Sequence, residues 1–398
     1  MAVNYLAITN ISAILKKIII PVIQEQMSKE SVLFNKIKRN SGVTIANNEI
    51  YIAARTDRHS GIYTVAEGNE PRTGKATYAQ PYTGIKYAFG TLELTDQAIE
   101  AASNSDKKAI AAILASEVTA LKDDFRKDLN RQMWGDGTGQ LCLANGTAST
   151  AGTALIVDSP GTRYLTPGMY VVIGSEAATQ ITVVGGSTTA TLSTSTAWAD
   201  NAIVRKEYAS GTAYNEFMGL KGIIDTSTYV STIQNIVRSS NSWTQSYAED
   251  SAATLTEAQM IDAYMSCLEY GKPDVWFFGP NGFSKYGQLL TSMKKTANLQ
   301  EVLAGGWKGL EFMDIGVMLD YDVPEVAASD FNAYLVDFDA LTIAEMTEPL
   351  KWLEADAHGG ILKRSANNRT IWEGTLKYYA NLVAKKFRSM GRLDHKQK

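Results

Sequence analysis

The chain has 398 residues, 45% of them hydrophobic and 20% charged, with 38 basic against 42 acidic side chains and a net charge of −4. That is the composition of a globular protein with room for two or three domains, each with its own core. The acidic surplus gives no sign of the strongly basic character of domains that grip nucleic acid through phosphate. Two distant cysteines in apolar settings, Cys142 and Cys267, fit buried free thiols in a reducing compartment better than a disulfide framework.

The opening stretch MAVNYLAITNISAILKKIIIPVIQEQ carries an apolar run at Ile18, Ile19 and Ile20. The run is too short to span a bilayer, and neither a basic leader nor a small-residue cleavage site precedes it. No signal peptide or membrane anchor is therefore read, and Asn10, Asn145 and Asn368 are chance glycosylation matches. Residues 11–38 have a helical pattern broken by Pro21, so residues 1–45 are expected to form an arm of two helical pieces. The second piece presents Ile23, Met27, Leu33, Phe34 and Ile37.

From 46 to 98 the pattern is that of a long two-stranded excursion. NNEIYIAART and YTGIKYAFGTLELTD alternate like strands, with Ile85, Tyr87 and Phe89 expected on one face. Between them lies DRHSGIYTVAEGNEPRTGKATYAQP, which is glycine-rich and carries Asp57, Arg58, Glu67, Glu70, Arg72 and Lys75. Such a hairpin has no core of its own and must lean on something else.

The next segment reads as a long helix over 106–134. Ile110, Leu114, Val118, Leu121, Phe125, Leu129 and Met133 recur every three or four positions. Ser105 caps its start, Asp106 suits the positive end of the dipole, and Asp123 and Lys127 can pair across one turn. The glycines of NRQMWGDGTGQ then follow a helix. Phosphate-binding glycines instead follow a strand and precede a helix, so Gly135 and Gly137 read as a helix stop, with Gly135 in the left-handed cap position.

Residues 143–212 are rich in Thr, Ser, Gly, Ala and Val, and read as an inserted β-barrel or sandwich with a Gly185-Gly186 hairpin turn. After a further segment, 213–253, mixed α and β elements run over 254–370. There Thr254 and Glu257 form a candidate capping box. A last strand segment occupies 371–398.

Candidate chemistry is sparse. His358, beside Glu354 and Asp356, can be a metal site or a solvated loop. Asp320, Asp322 and Glu325 in DYDVPE offer oxygen ligands suited to calcium, or form a turn after a strand. The tryptophans, scattered and with no basic interleaving, read as core or interface anchors. No nucleophile, base and orienting group converge, so neither catalysis nor a cofactor or metal is expected.

The order of these elements, with YTVAEGNEP, TYAQPYTGIKYAFGTLELTDQAIEAA, PDVWFFGPNGFSKYGQL, GLEFMDIGVMLDYDVP and YYANLVAKKFRSMGRL, resembles the major capsid protein family of tailed bacteriophages, the Hong Kong phage-type fold. The resemblance covers nearly all the chain except 143–212. It implies an α+β fold in which 1–45 is the N-terminal arm, 46–98 the extended loop, and 99–142 the spine helix with part of the peripheral domain. On the same scheme 143–212 is an insertion, 213–253 continues the peripheral domain, 254–370 is the axial domain and 371–398 the returning peripheral strand.

The function implied is self-assembly into pentamers and hexamers of a head shell enclosing double-stranded DNA, which the acidic chain contacts weakly and non-specifically. The resemblance places the protein in the virion, assembled in the bacterial cytoplasm. A portal, a separate scaffolding protein and a decoration protein are the implied partners, and no membrane. Arg58, Glu67, Glu70, Arg72, Lys75, Tyr78 and Tyr82 are the expected contacts with a neighbouring subunit. Family cross-links would involve Lys75 or Lys86 with Asn367 or Asn368, although no local motif supports them. An encapsulin-like compartment shell is the alternative on the same fold, typically shorter and without the insertion. A hydrolase carrying a β domain is the alternative from another class.

Overall fold

The computed structural model describes residues 32–97, 107–158, 160–207, 215–293, 310–325, 330–347, 351–353, 362–364 and 370–397. Most of the arm, Ser105, Asp106, the His358 loop, Asn367 and Asn368 lie outside the described residues, as do the side chains of Ile110 and Leu114. The described end of the arm forms helix α1, Val32–Lys36, whose Leu33 and Phe34, with Ile37 just beyond, are buried in the main core.

Strands β1 (Thr44–Ala46) and β2 (Glu49–Tyr51) pair antiparallel, β3 (Ala54–Arg55) continues outward from β2, and β4 (Tyr78–Ala79) and β5 (Tyr82–Gly84) run back antiparallel to β3 and β2. Next, β6 (Lys86–Thr95) leads toward helix α2, Lys107–Trp134, whose 28 residues span about 42 Å at ~1.5 Å each. Phe125, Leu129 and Met133 are buried, and Val118 and Leu121 half-buried. The apolar stripe therefore faces protein along the described part of the helix.

The stop after α2 differs from the expected cap. Gly135 donates its N–H to the Gln132 carbonyl at 3.0 Å, but the left-handed residues are Gly137 (φ 81°) and Gly139 (φ 77°). What makes the terminus compact is another glycine: a Cβ on Gly219 would lie 2.4 Å from the Gln132 carbonyl oxygen. The chain that returns at 219 thus covers the helix end at backbone distance.

Six antiparallel strands follow: β7 (Gln140–Leu143), β8 (Ala148–Ile156), β9 (Tyr170–Ile173), β10 (Thr179–Val184), β11 (Thr189–Trp198) and β12 (Ile203–Lys206). Their order is β7-β12-β9-β10-β11-β8. The two edge strands meet through an Ala144–Val157 bridge, with Asn145 N–H on Ile156 O at 2.8 Å and Asp158 N–H on Leu143 O at 2.9 Å. The sheet is therefore a closed barrel, which leaves no free edge. Its core is its own, built on Leu141, Cys142, Leu155, Val171, Ile173, Ile181, Leu192 and Val204. Gly185 and Gly186 lie in the β10–β11 turn, and the barrel starts at Gln140, inside the segment assigned from sequence to the spine region.

After a short helix α3 (Leu220–Ile223), β13 (Thr232–Ile233) and β14 (Ile236–Val237) form a small hairpin. Then come β15 (Tyr247–Asp250), helix α4 (Glu257–Leu268), β16 (Val275–Phe278), helix α5 (Pro280–Met293), β17 (Leu310–Phe312), β18 (Ile315–Leu319) and β19 (Asp330–Val336). The cap of α4 is Thr256 with Gln259, bonded reciprocally, and not Thr254 with Glu257. Thr254 instead bridges to Gln397 in the sheet.

The remaining strands are β20 (Leu341–Glu345), β21 (Lys351–Trp352), β22 (Leu362–Arg364), β23 (Ile371–Ala384) and β24 (Gly391–Gln397). They complete two sheets. In the first, β23 pairs with β6 over ten residues on one side, and with β20, β21 and β22 on the other. The second has the order β15-β24-β19-β16-β18-β17. Five strands thus fall on the other side of the sequence division: β15 and β24 join the second sheet, and β20, β21 and β22 join the first.

The first sheet packs one face against α2, and the second is covered on both. The four consecutive residues Val275–Phe278 are all buried, as expected of a strand covered on both faces. Trp276 and Phe278 face α4 and α5, while Phe277 packs edge-on against Trp134 of α2. Both cysteines are buried and free, and burial pushes each thiol up to about 12.

Candidate functional site

Two regions are chemically distinctive: the hairpin of β1 to β5, and the junction where α2, the barrel and the loop after β18 meet. The root of the hairpin is anchored. Ile50, Ile52 and Ile85 are buried against Ala344 and Val383 of the first sheet. Asn381 donates to the Gly84 carbonyl at 2.9 Å, and Tyr82 N–H donates to the Gln234 carbonyl at 3.1 Å.

Beyond β3 and β4 the support ends. The last ladder bonds are Thr56 N–H to Thr77 O at 3.0 Å and Ser60 N–H to Lys75 O at 3.2 Å. Residues 62–75 are exposed throughout. Ile62 is 83% exposed and Tyr78 73%, and Tyr63, Val65 and Tyr82 are open to solvent as well. Arg58, Glu67, Glu70, Arg72 and Lys75 are exposed too, and among the described residues they form no ion pair with one another or with the body. The structure thus brings all seven residues predicted as contacts onto one projecting element, and places none of them against the chain's own core.

The sheet face beside the root carries a further surprise. Tyr87 and Phe89 do share a face, but it is the outer one, 46% and 52% exposed, where both rings pack against Tyr379. Ile85 is not part of it; it is buried at the hairpin root. The core side of β6 is made by Leu92 and Leu94. Aromatic alternation alone does not tell which face of a strand meets the body.

The junction was not visible as such in the sequence. Asp320 and Asp322, considered as calcium ligands, are saturated by protein donors. Asp320 accepts from Trp134 Nε1 at 3.1 Å and Asp322 N–H at 2.9 Å. Asp322 accepts from Asn130 Nδ2 at 2.7 Å, Tyr164 OH at 2.9 Å and Arg163 Nη2 at 3.2 Å. Glu325 caps the start of α5, accepting from both Asn281 nitrogens at 2.9 Å. The stretch is a turn. No group of three or more metal-ligating side chains occurs among the described residues.

Charge is distributed accordingly. Burial pushes the Asp320 carboxyl above the ordinary range, reinforced by the Asp322 charge beside it. Asp128, on the neighbouring turn of α2, goes the other way. Burial would raise it, but Arg131 (3.1 Å) and Lys206 of the barrel (2.8 Å) together hold it well below the ordinary range. Arg131 also pairs with the buried Glu216 at 2.6 Å. The polar face of α2 near its end is thus an internal interface, where the sequence pattern suggests a solvated side.

No family model and no curated protein matches this sequence. Solved structures do. A chain of the cyanophage A-1(L) capsid asymmetric unit superposes with a TM-score of 0.59 at 11% identity, covering 95% of this chain and 96% of that one. The holo-SrpI encapsulin complex from Synechococcus elongatus gives 0.52 at 7% identity, covering 98% and 97%. The capsid of a native GTA particle gives 0.51 at 9%, covering 94% and 93%. The fold is therefore that of the tailed-phage capsid proteins, over almost the whole chain. Because the encapsulin is covered as fully as this chain, the two are similar in length, and length does not separate the alternatives as expected.

Proposed function

We propose that this protein is a major capsid protein that self-assembles into the head shell of a tailed bacteriophage around double-stranded DNA. The observation that carries the proposal is the hairpin. An element with a buried root and an apolar, unpaired tip has no function within one subunit, and a partner that covers Ile62, Tyr63, Val65 and Tyr78 supplies the missing burial. In a shell that partner is a neighbouring copy. The mixed charges of Arg58, Glu67, Glu70, Arg72 and Lys75 then set the register of the contact more than its strength.

The net charge of −4 supports weak, non-specific contact with packaged DNA, since a tight grip would need many phosphate-neutralising cations. On this reading the protein resides in the virion after assembly in the host cytoplasm, alongside a portal, a scaffolding protein and a decoration protein. The barrel fits the role of an inserted domain on the shell. No described helix is long and apolar enough to cross a membrane.

The encapsulin likeness supports a second reading, a compartment shell, on the same hairpin. Electron microscopy of the purified protein after size-exclusion chromatography, with light scattering on the same sample, tests both. Closed shells, rings of five or six, or tubes support assembly, and the shell diameter separates a phage head from a small compartment. A monodisperse monomer that persists at high concentration with scaffold supplied removes both.

A further inference from the structure

The barrel carries an Asn-Gly pair at the point where its strands close. Asn145-Gly146 directly follows the Ala144–Val157 bridge between the two edge strands, and both residues are exposed. When glycine follows asparagine, the next backbone nitrogen attacks the side-chain amide most readily, because no Cβ obstructs it. The chain holds two such pairs, Asn145-Gly146 and Asn281-Gly282, and the fold treats them differently.

Asn281 stands in the first turn of α5, where Glu325 accepts from its backbone and side-chain nitrogens, each at 2.9 Å. Gly282 is buried, and a Cβ there would lie 2.7 Å from ring carbons of Phe278 and Phe331. The helical backbone must break before the Gly282 nitrogen can reach the Asn281 amide carbon.

Gly146 is the reverse case. Its φ is 71°, and a Cβ there would meet no atom within 4 Å. Its N–H donates to Asp200 Oδ1 at 2.7 Å, within the reach a general base needs for the proton it takes. The other oxygen of Asp200 accepts from Asn201 Nδ2 at 3.0 Å, which aims the carboxylate. Asn145 Nδ2 in turn donates to Asp158, which orients the target amide. Nucleophile, base and amide are thus assembled on one open turn.

We propose that Asn145 is a site of spontaneous deamidation, with Asp200 as the general base. The Gly146 nitrogen attacks Asn145 Cγ while its proton passes to Asp200. The Cγ–Nδ2 bond breaks, ammonia leaves with the proton that Asp200 returns, and a five-membered succinimide remains. Water then opens the ring to aspartate or isoaspartate. Either product adds a carboxylate beside Asp158 and Asp200, next to two bonds that close the barrel. These are Asn145 N–H to Ile156 O at 2.8 Å and Asn201 N–H to Ala144 O at 2.9 Å. The seam of the barrel therefore loosens as the protein ages.

The test uses dilute, unassembled subunits, so its outcome is independent of whether the protein forms a shell. The purified protein is aged near neutral pH, and peptide mapping by mass spectrometry follows the conversion of each amide to a carboxyl. In the folded protein Asn145 should convert about tenfold or more faster than Asn281. After unfolding in urea, where both are plain Asn-Gly pairs, the two should convert alike. Asp200→Ser should slow Asn145 about tenfold, less than a buried base contributes because this one stands in water, and Asp200→Glu should restore part of the rate. Hydrogen exchange of the Asn201 amide should quicken in the aged fraction. Retention of the Asn145 amide for as long as that of Asn281 in the folded protein would overturn the site. An unchanged rate in Asp200→Ser of native melting temperature would overturn the role of Asp200.

Discussion

The barrel and the hairpin are opposite solutions to one problem. Both leave the body of the protein, yet the barrel closes its sheet and buries Leu155, Val171, Ile173 and Ile181 within itself, whereas the hairpin buries only its root and leaves Ile62 83% exposed. A closed barrel satisfies its backbone and its apolar side chains alone. A two-stranded hairpin cannot, because each of its strands has a free edge and neither face has a cover. The difference teaches where to look for the partner: the element that is incomplete in isolation is the one whose completion is supplied from outside.

The comparison breaks first if the barrel core is not a core. Ile181→Ala removes a side chain with no exposure and should destabilise the barrel by about 2–5 kcal/mol in thermal or denaturant unfolding. A change below the range of a surface substitution would show that the barrel does not depend on its interior.

Next is the charged seam between barrel and spine. Asp128→Ala should cost about 1.5–3 kcal/mol at neutral pH, because it strands Lys206 and half of the Arg131 pairing. The carboxyl is held below its ordinary value, so its contribution is fully present above about pH 4 and is lost as the pH falls through the depressed folded value. Unfolding curves of the native protein and the variant should therefore converge on acidification. A gap that widens toward acid contradicts the assignment.

A smaller effect tests the cap of α4. Thr256→Ala should cost about 1 kcal/mol, and Thr254→Ala should leave the helix end intact, as read by hydrogen exchange of the Gln259 amide. The smallest effect on the subunit belongs to the hairpin. Ile62→Asp should change subunit stability by no more than about 0.5 kcal/mol, since Ile62 is 83% exposed and packs into no core cluster among the described residues. A large loss of stability there would mean that the hairpin folds against its own subunit after all.

The legible part of the fold was local. The three-to-four spacing from Val118 to Met133 marks the spine helix, and the Thr- and Val-rich alternation marks the strands of the barrel. What could not be read was long-range. Closure through Ala144 and Val157, the entry of Gly391–Gln397 into the second sheet, and the approach of Gly219 to Gln132 each depend on residues far apart in sequence. Local ambiguity also misled. Thr254-Leu-Thr256 offers two equally good caps, and the glycines after Trp134 offer three places for a left-handed residue.

The junction was missed for a chemical reason. Asn130, Arg131 and Asp128 lie on the polar side of an amphipathic helix, which ordinarily means solvent, and Asp320 and Asp322 in a turn ordinarily mean the same. Only their convergence with Arg163 and Tyr164 makes them an interface. The hairpin residues, by contrast, were placed on one extended element from sequence, because glycine-rich polar stretches between alternating strands are visible without knowing the fold.

The most direct test of the central claim compares assembly of the native protein with that of a variant carrying Ile62→Asp and Tyr78→Asp, by sedimentation velocity and electron microscopy at equal concentration. The account predicts shells, rings or tubes for the native protein. For the variant it predicts a folded subunit of unchanged melting temperature that fails to assemble. Equal assembly by both, with the melting temperature unchanged, would contradict the claim that the hairpin tip is the contact that builds the shell.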